Sequence, residues 1–295
     1  MLSVLGEAIE KMSVLEILGA EAQTISSDAD AMQGIVDAAR TNLHNDPKSV
    51  SYGGRLAVAL LSLEAKQYDM ANEFFQLALE MIATPATEKE KETSNPPKDS
   101  RSAELLMSWG IGLLLGNRPA EAAKVFQRGI DEKALPDDNP AFYFYLAGAL
   151  AMDQRPDEAM VAAKAAAAMN PSSARFAGRA AWVLYMAKRY AEAEQAYQKL
   201  LEQFDDDHVS TETRDVMRDA RLALSNLAIV RGDMAQSEEW LEQVLDEFPD
   251  DIGASNDLGY LWADQNKHLE RAERMIRKAV DAEPENKAYR DSLGW

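Results

Sequence analysis

Apolar and small residues recur along this chain at helical spacing. A polar turn leads into a small residue, a large apolar residue stands four positions on, and an apolar or small residue follows three later. The pattern first appears in Lys66-Gln67-Tyr68-Asp69-Met70-Ala71 with Phe75 and Ala78. It returns at Asn117-Arg118-Pro119-Ala120-Glu121-Ala122 with Phe126 and Gly129, and at Gln154-Arg155-Pro156-Asp157-Glu158-Ala159 with Ala163 and Ala166. Further copies are Lys188-Arg189-Tyr190-Ala191-Glu192-Ala193 with Tyr197 and Leu200, Gly232-Asp233-Met234-Ala235-Gln236-Ser237 with Leu241 and Val244, and Ala272 with Ile276 and Ala279. Before each copy lies a second helical stretch, marked by an apolar residue followed by a small one. These pairs are Val58-Ala59, Trp109-Gly110, Leu146-Ala147, Ala180-Ala181, Leu224-Ser225 and Leu258-Gly259, and Leu293-Gly294 opens a seventh. Successive pairs are 51, 37, 34, 44, 34 and 35 residues apart, so a 34-residue unit is repeated with insertions. The pattern predicts a run of two-helix hairpins.

A single hairpin of this kind cannot bury its apolar faces, whereas stacked neighbours can. Gly110, Ala147, Ala181 and Gly259 are small enough for helices to approach closely, and Phe75, Phe126, Tyr197 and Leu241 fill the space beside them. Pro119 and Pro156 fall in the first turn of second helices, where a missing N–H is no loss. Pro171, Pro249 and Pro284 stop helices at the ends of units. The stretch Thr84 to Ser100 is polar, lacks an apolar period and reads as a mobile loop. A second insertion runs from Asp205 to Arg214 and leads into a long helix ending near Arg231. The chain stops one turn into a new hairpin with no polar helix over the last repeat face, so the expectation is a fragment of a longer chain.

Composition narrows the function classes. Fifty acidic and 31 basic side chains give a net charge of -19, which disfavours nucleic acid, because its binding draws on Lys and Arg neutralising phosphates. The acidity is concentrated: residues 201–295 carry a net of -12, whereas residues 101–200 carry +1. The chain has no cysteine, which removes disulfides, thiolate metal sites and Cys nucleophiles. The longest apolar stretches, Leu105 to Leu115 and Ala141 to Met152, fall short of the roughly 20 residues a membrane span needs. Glu7, Glu10 and Lys11 interrupt any signal-like apolar region. Compartment is left open between cytoplasm and periplasm.

An apolar-Gly/Ala pair at unit positions seven and eight, Ala near twenty, an aromatic near twenty-four, Ala near twenty-seven and Pro near thirty-two resembles the tetratricopeptide repeat of bacterial proteins. Asn256-Asp257-Leu258-Gly259-Tyr260 through Pro284 is the most specific match, with one extra residue between Trp262 and Ala272. The resemblance implies an all-α fold, an α-α superhelix or solenoid of stacked antiparallel hairpins. It divides the chain into a degenerate hairpin at 1–47 and repeats at 52–83, 103–136, 140–173, 174–205, 218–251 and 252–285, with insertions at 84–100 and 206–215 and a truncated repeat at 286–295.

In that family the first helix of each hairpin lines a concave groove through unit positions two, five, nine and twelve. Carried onto this sequence, those positions are Glu104, Met107, Ile111 and Leu114 in one unit and Arg175, Gly178, Trp182 and Tyr185 in another. The following units give Asp219, Leu222, Asn226 and Ile229, then Gly253, Asn256, Tyr260 and Ala263. The partner-binding candidates are Arg175, Arg179, Trp182, Tyr185, Asn226, Asn256 and Tyr260. Asn can both donate to and accept from a peptide backbone, Trp and Tyr offer broad amphipathic contact, and an Arg pair can hold a carboxylate. Each also has a plain alternative: the aromatics can pack on neighbouring helices, the Asn residues can be solvated, and the arginines can pair with nearby acids. The Lys/Asn set of the family's chaperone-tail clamp is not reproduced.

Little else suggests chemistry. His44, His208 and His268 lie far apart and outside known motifs. Asp205 to His208 holds oxygen and nitrogen ligand types, but Val209, Ser210 and Val216 break a calcium-loop pattern. Gly110-Ile111-Gly112 with Gly116 has the wrong spacing for a nucleotide fingerprint. The sequence therefore supports a non-catalytic scaffold without cofactor or metal, binding a protein or peptide. The alternatives are a structural module self-associating through its uncapped C-terminal end, and a regulatory region of a longer envelope-associated protein.

Overall fold

The computed structural model describes residues 27–83, 98–205 and 210–294, and among them every regular element is a helix. In chain order these are α1 (Ala29–Asn45), α2 (Tyr52–Glu64), α3 (Tyr68–Ala83), α4 (Lys98–Leu115), α5 (Pro119–Asp131), α6 (Ala141–Met152) and α7 (Pro156–Met169). They continue with α8 (Ala174–Met186), α9 (Tyr190–Phe204), α10 (Thr211–Arg231), α11 (Met234–Glu247), α12 (Ile252–Asp264), α13 (Leu269–Ala282) and α14 (Lys287–Gly294). Two compact units divide the chain, Met1–Ala162 and Ala163–Trp295.

Each turn between the two helices of a hairpin is built the same way. One or two residues past the first helix the chain takes a left-handed conformation, at Lys66, Asn117, Gln154, Lys188, Gly232 and Asn266. The next N–H then reaches back over the helix end, as in Gln67 N to Ser62 O (2.8 Å), Arg118 N to Leu113 O (2.8 Å) and Arg189 N to Leu184 O (3.0 Å). This is a Schellman closure, which satisfies carbonyls that a helix end leaves unpaired. Five of the six positions are not glycine, although only glycine adopts this backbone without steric cost. In three turns an Arg clips the start of the second helix: Arg118 to Glu121, Arg155 to Glu158 and Arg189 to Glu192.

Within the first unit, α2 packs on α3 and α4 on α5. Ala71, Phe75, Ala78, Ala122 and Phe126 are fully buried. The ring of Trp109 stacks on Phe75 at 5.4 Å, and its Nε1 donates to Asn72 Oδ1 at 2.7 Å. Asn72 Nδ2 in turn donates to Glu121 Oε2 at 2.7 Å, which ties α3, α4 and α5 together. Arg55 is 6% exposed and donates to the carbonyls of Val50, Leu77 and Pro47, pinning the approach to α2 against α3. Gly110, Gly112 and Gly116 press against Phe126, Leu63 and Tyr68, so helix packing accounts for the glycines of the nucleotide-like string.

In the second unit, α8/α9, α10/α11 and α12/α13 are the hairpins, and α8 also packs on α10, and α12 on α14. Ala193 and Ser237 are fully buried, as is Trp262, whose Nε1 donates to Glu238 Oε1 at 2.6 Å. At the closest approach of α10 and α11 the small residues are serines, and Ser225 Oγ lies 2.9 Å from Ser237 Oγ.

Some boundaries differ from the sequence reading. Helix α4 begins at Lys98, so the last residues of the 84–100 insertion are helical, because Ala103, Leu105 and Leu106 give this stretch a face to bury. Helix α10 begins at Thr211, capped by Ser210 Oγ accepting from Thr213 N at 3.2 Å, so much of the 206–215 insertion is its first turn. The first half of the N-terminal hairpin, residues 84–97 and Asp206 to Val209 lie outside the described residues.

Candidate interaction site

In the second unit α8 packs on α10, and α12 on α14, so the groove positions of α8 and α10 lie on neighbouring faces. On α8, Arg175, Arg179, Trp182 and Tyr185 are all half-buried. The Arg179 guanidinium lies 5.0 Å from the Trp182 ring centroid, within cation–π range, and Tyr185 tilts against Tyr190 at 6.1 Å. Arg175 approaches Glu212 of α10 at 3.6 Å, so the predicted Arg pair is drawn partly into internal contacts. Asn226 on α10 is exposed, as is Tyr260 on α12, at 41%.

Asn256 differs from its expected role. It is only 5% exposed, its Nδ2 donates to Asp257 Oδ1 at 3.1 Å, and its Oδ1 accepts from no donor among the described residues. An Asn on the groove register is thus not a solvated group: it is buried and bonded to the neighbouring carboxylate.

That carboxylate is the residue the sequence reading missed. Gly253, Asn256, Asp257 and Tyr260 follow the spacing of one helix face, so Asp257 belongs to the groove surface of α12. It remains exposed, yet protein crowds it, and its pKa is raised above the ordinary aspartate range. Burial is the main cause, the hydrogen bond from Asn256 opposes it, and the charge of Asp251 adds to it. Tyr289 on α14 closes this corner: its hydroxyl would lie 4.0 Å from a Cβ placed on Gly253, and its pKa is raised by burial and by Glu283, Asp257 and Asp251.

Neighbouring acids are better compensated. Arg218 lies 2.9 Å from Asp219, 3.5 Å from Asp215 and 3.7 Å from Asp251. Burial alone would lower the Arg218 pKa, but these carboxylates hold it raised. Asp251 also caps α12, accepting from Ala254 N at 2.8 Å. A cleft of about 440 Å³ between α10 and α11 is lined by Arg214, Arg221, Gln243, Asp246 and Glu247. Its charges are used internally, with Arg214 on Glu247 at 2.7 Å and Arg221 on Asp205 at 2.5 Å. The described residues contain no cluster of three or more His, Cys, Asp or Glu suited to a metal ion, and no helix among them is long and apolar enough to cross a membrane.

Two family models of the tetratricopeptide repeat match the chain, over residues 108–166 and 150–210. Residues 108–210 of the chain carry tetratricopeptide repeats. A TPR repeat-containing protein of Pseudomonas aeruginosa, PA4667, is 37% identical over 101 residues, which cover 34% of this chain and 15% of that relative. The chain therefore matches only a small part of the relative's length. The tetratricopeptide fold is also that of solved structures with low identity. The Pseudomonas aeruginosa PilF structure aligns with a TM-score of 0.52 and 16% identity, over 66% of this chain and 89% of that one. The APC/C Cut9–Hcn1 hetero-tetramer aligns with a TM-score of 0.51 and 10% identity, over 99% of this chain and 51% of that one. Tetratricopeptide-repeat proteins are generally non-enzymatic scaffolds, and the fold implies protein partners.

Proposed function

We propose that this tetratricopeptide-repeat protein works without catalysis, as an interaction module that holds an extended peptide or protein segment against the first-helix faces of its second unit. The observation that carries the reading is the half-exposed Trp182–Arg179 pair on α8, beside a helix presenting an unburied Asn226. A stacked indole keeps one flank in contact with solvent and gives broad contact area at little entropic cost, and an exposed amide can bind both groups of a peptide bond. In the first unit, considered by itself, the corresponding positions Met107, Ile111 and Leu114 of α4 are half-buried. The test is affinity capture with the wild type, Trp182→Ala and Asn226→Ala, each checked for unchanged helicity. Loss of the same partners in both variants is the expected result. Retention of every partner by both variants would remove the groove.

A further inference from the structure

We propose that Asp257, with Asn256 and Tyr260 beside it on α12 and Tyr289 across from it on α14, is a subsite for a Lys or Arg side chain of a basic peptide segment. The inference rests on the groove reading and specifies the chemistry of its occupant.

The corner is rich in acceptors. Asp257 offers a carboxylate of which one oxygen accepts from Asn256 Nδ2, and no Lys or Arg lies within ion-pair distance of it among the described residues. Independently, the Asn256 amide that faces this carboxylate has an oxygen with no donor, in a residue 95% buried. Leaving a buried acceptor unpaired costs free energy, and a small rotation of the Asn256 amide that brings its oxygen to a bound donor recovers that cost. Tyr260 stands one turn further along the same face with 41% of its surface exposed, and an aromatic face attracts a cation directly. Asp251 and Glu283 add negative charge around Tyr289. An ammonium or guanidinium group carries several donors and a positive charge, so it supplies the counter-charge that Asp257 lacks and can lie against the Tyr260 ring.

Other occupants fit less well. A phosphate or peptide carboxylate would meet Asp257 with like charge. A second copy of this chain carries a net charge of -19, and the last 95 residues hold most of it. A neutral segment would leave Asp257 ionised, crowded and without a counter-charge. The stored cost is what a cation removes, so the site discriminates by charge as well as by shape.

The test uses the whole chain and three labelled, capped peptides that alternate Ala with Lys, Gln or Glu, followed by fluorescence anisotropy. The Lys peptide is expected to bind more tightly than the Gln peptide, and Asp257→Asn to weaken the Lys peptide about tenfold while leaving the Gln peptide unchanged. Glu270→Gln removes the same charge from an exposed position on α13 and serves as the control. Equal losses for Asp257→Asn and Glu270→Gln would mean a diffuse field and would overturn the subsite. Binding of Lys and Gln peptides with equal strength, both weakened by Trp182→Ala, would overturn it too and leave the groove standing. If no peptide binds at millimolar concentration, subsite and groove fall together. As a second readout, the Lys peptide should shift the side-chain amide resonances of Asn256, and unmoved resonances under saturation would count against the assignment.

Discussion

Replacing one glycine by alanine tests the packing of the first unit. A methyl group at Gly110 would stand 2.4 Å from Cε1 and 2.5 Å from Cζ of Phe126. Packed carbon atoms settle at about 3.5–4.0 Å, so the ring would have to retreat by roughly 1 Å. It has little room, because Phe126 is fully buried, stacked on Tyr145 at 5.5 Å and tilted against Phe142 at 6.5 Å. Overpacking of this kind costs about 1–3 kcal/mol, and alanine returns about 1 kcal/mol of helix propensity. The expected net change for Gly110→Ala is a loss of about 1 kcal/mol, up to about 2. Gly34 on α1 is the matched control, since a methyl group there meets nothing within 4 Å. Gly34→Ala should stabilise by about 0.5–1 kcal/mol through propensity alone. The same chemical change thus has opposite signs at two helical sites of one unit. Urea unfolding followed by circular dichroism reads the difference, and amide exchange in α4 and α5 localises it, which matters because repeat arrays need not unfold in one step. Adding Phe126→Leu should reduce the penalty of Gly110→Ala relative to the Phe126→Leu background. A Gly110→Ala protein as stable as the wild type would refute the close approach of Gly110 and Phe126.

Three further outcomes follow from single features. Lys188 sits at φ 58° in a Schellman turn, so Lys188→Gly should raise the urea midpoint by up to about 1 kcal/mol in stability; a lower midpoint would deny that the turn is strained. Ser237→Ala should cost about 1–2 kcal/mol by orphaning the buried Ser225 hydroxyl, and adding Ser225→Ala should restore part of it, whereas strictly additive losses would argue against a coupled pair. The raised pKa of Asp257 means that folding favours its protonated form, so its ionised form weakens the fold at pH values above that pKa and ceases to do so below the ordinary aspartate value. Asp257→Asn should therefore raise the melting temperature at neutral pH and lose that advantage in acid; a lower neutral melting temperature would reverse the sign of the argument.

The hairpin array was legible because its signal is steric and local. Ala71, Ala122, Ala159, Ala193, Ser237 and Ala272 mark the positions where helices touch, and each is at most 1% exposed. Such positions tolerate only small side chains, and that restriction is visible in the sequence itself. The turns were legible as polar breaks, but not as left-handed residues, because Lys66, Gln154 and Lys188 carry no glycine to announce the backbone. Arg55 was hidden for the opposite reason. A charged residue reads as solvated until three carbonyls from Pro47, Val50 and Leu77 are known to converge on it. On the groove, the register placed Trp182, Asn226 and Tyr260 on the first helices, and the structure leaves each of them at least partly accessible. The register passed over Asp257, although it stands one residue after Asn256 and one turn before Tyr260. In a chain with 50 acidic residues one more aspartate carries no contrast, and what distinguishes it is its burial against the fold and the charge of Asp251 near it, neither of which the residue types announce.

That contrast bears on how the acidity of this protein acts. A net charge of -19 suggests a broad attractive field for basic partners, but much of the second unit's charge is already paired. Arg218 offsets Asp219 and Asp251, Arg214 offsets Glu247, Arg221 offsets Asp205, Lys267 offsets Glu238 and Lys278 offsets Asp250. Exposed charges farther apart than about 8–10 Å are largely screened at physiological salt. A bound segment therefore responds to the few carboxylates it touches, and to the excess only as a faster encounter. Specificity then belongs to a position such as Asp257, where crowding, a like charge and an unpaired amide oxygen coincide, and salt should slow association more than it changes which peptide is preferred. If raised salt erased the preference for lysine over glutamine altogether, the field and not the corner would be choosing the partner.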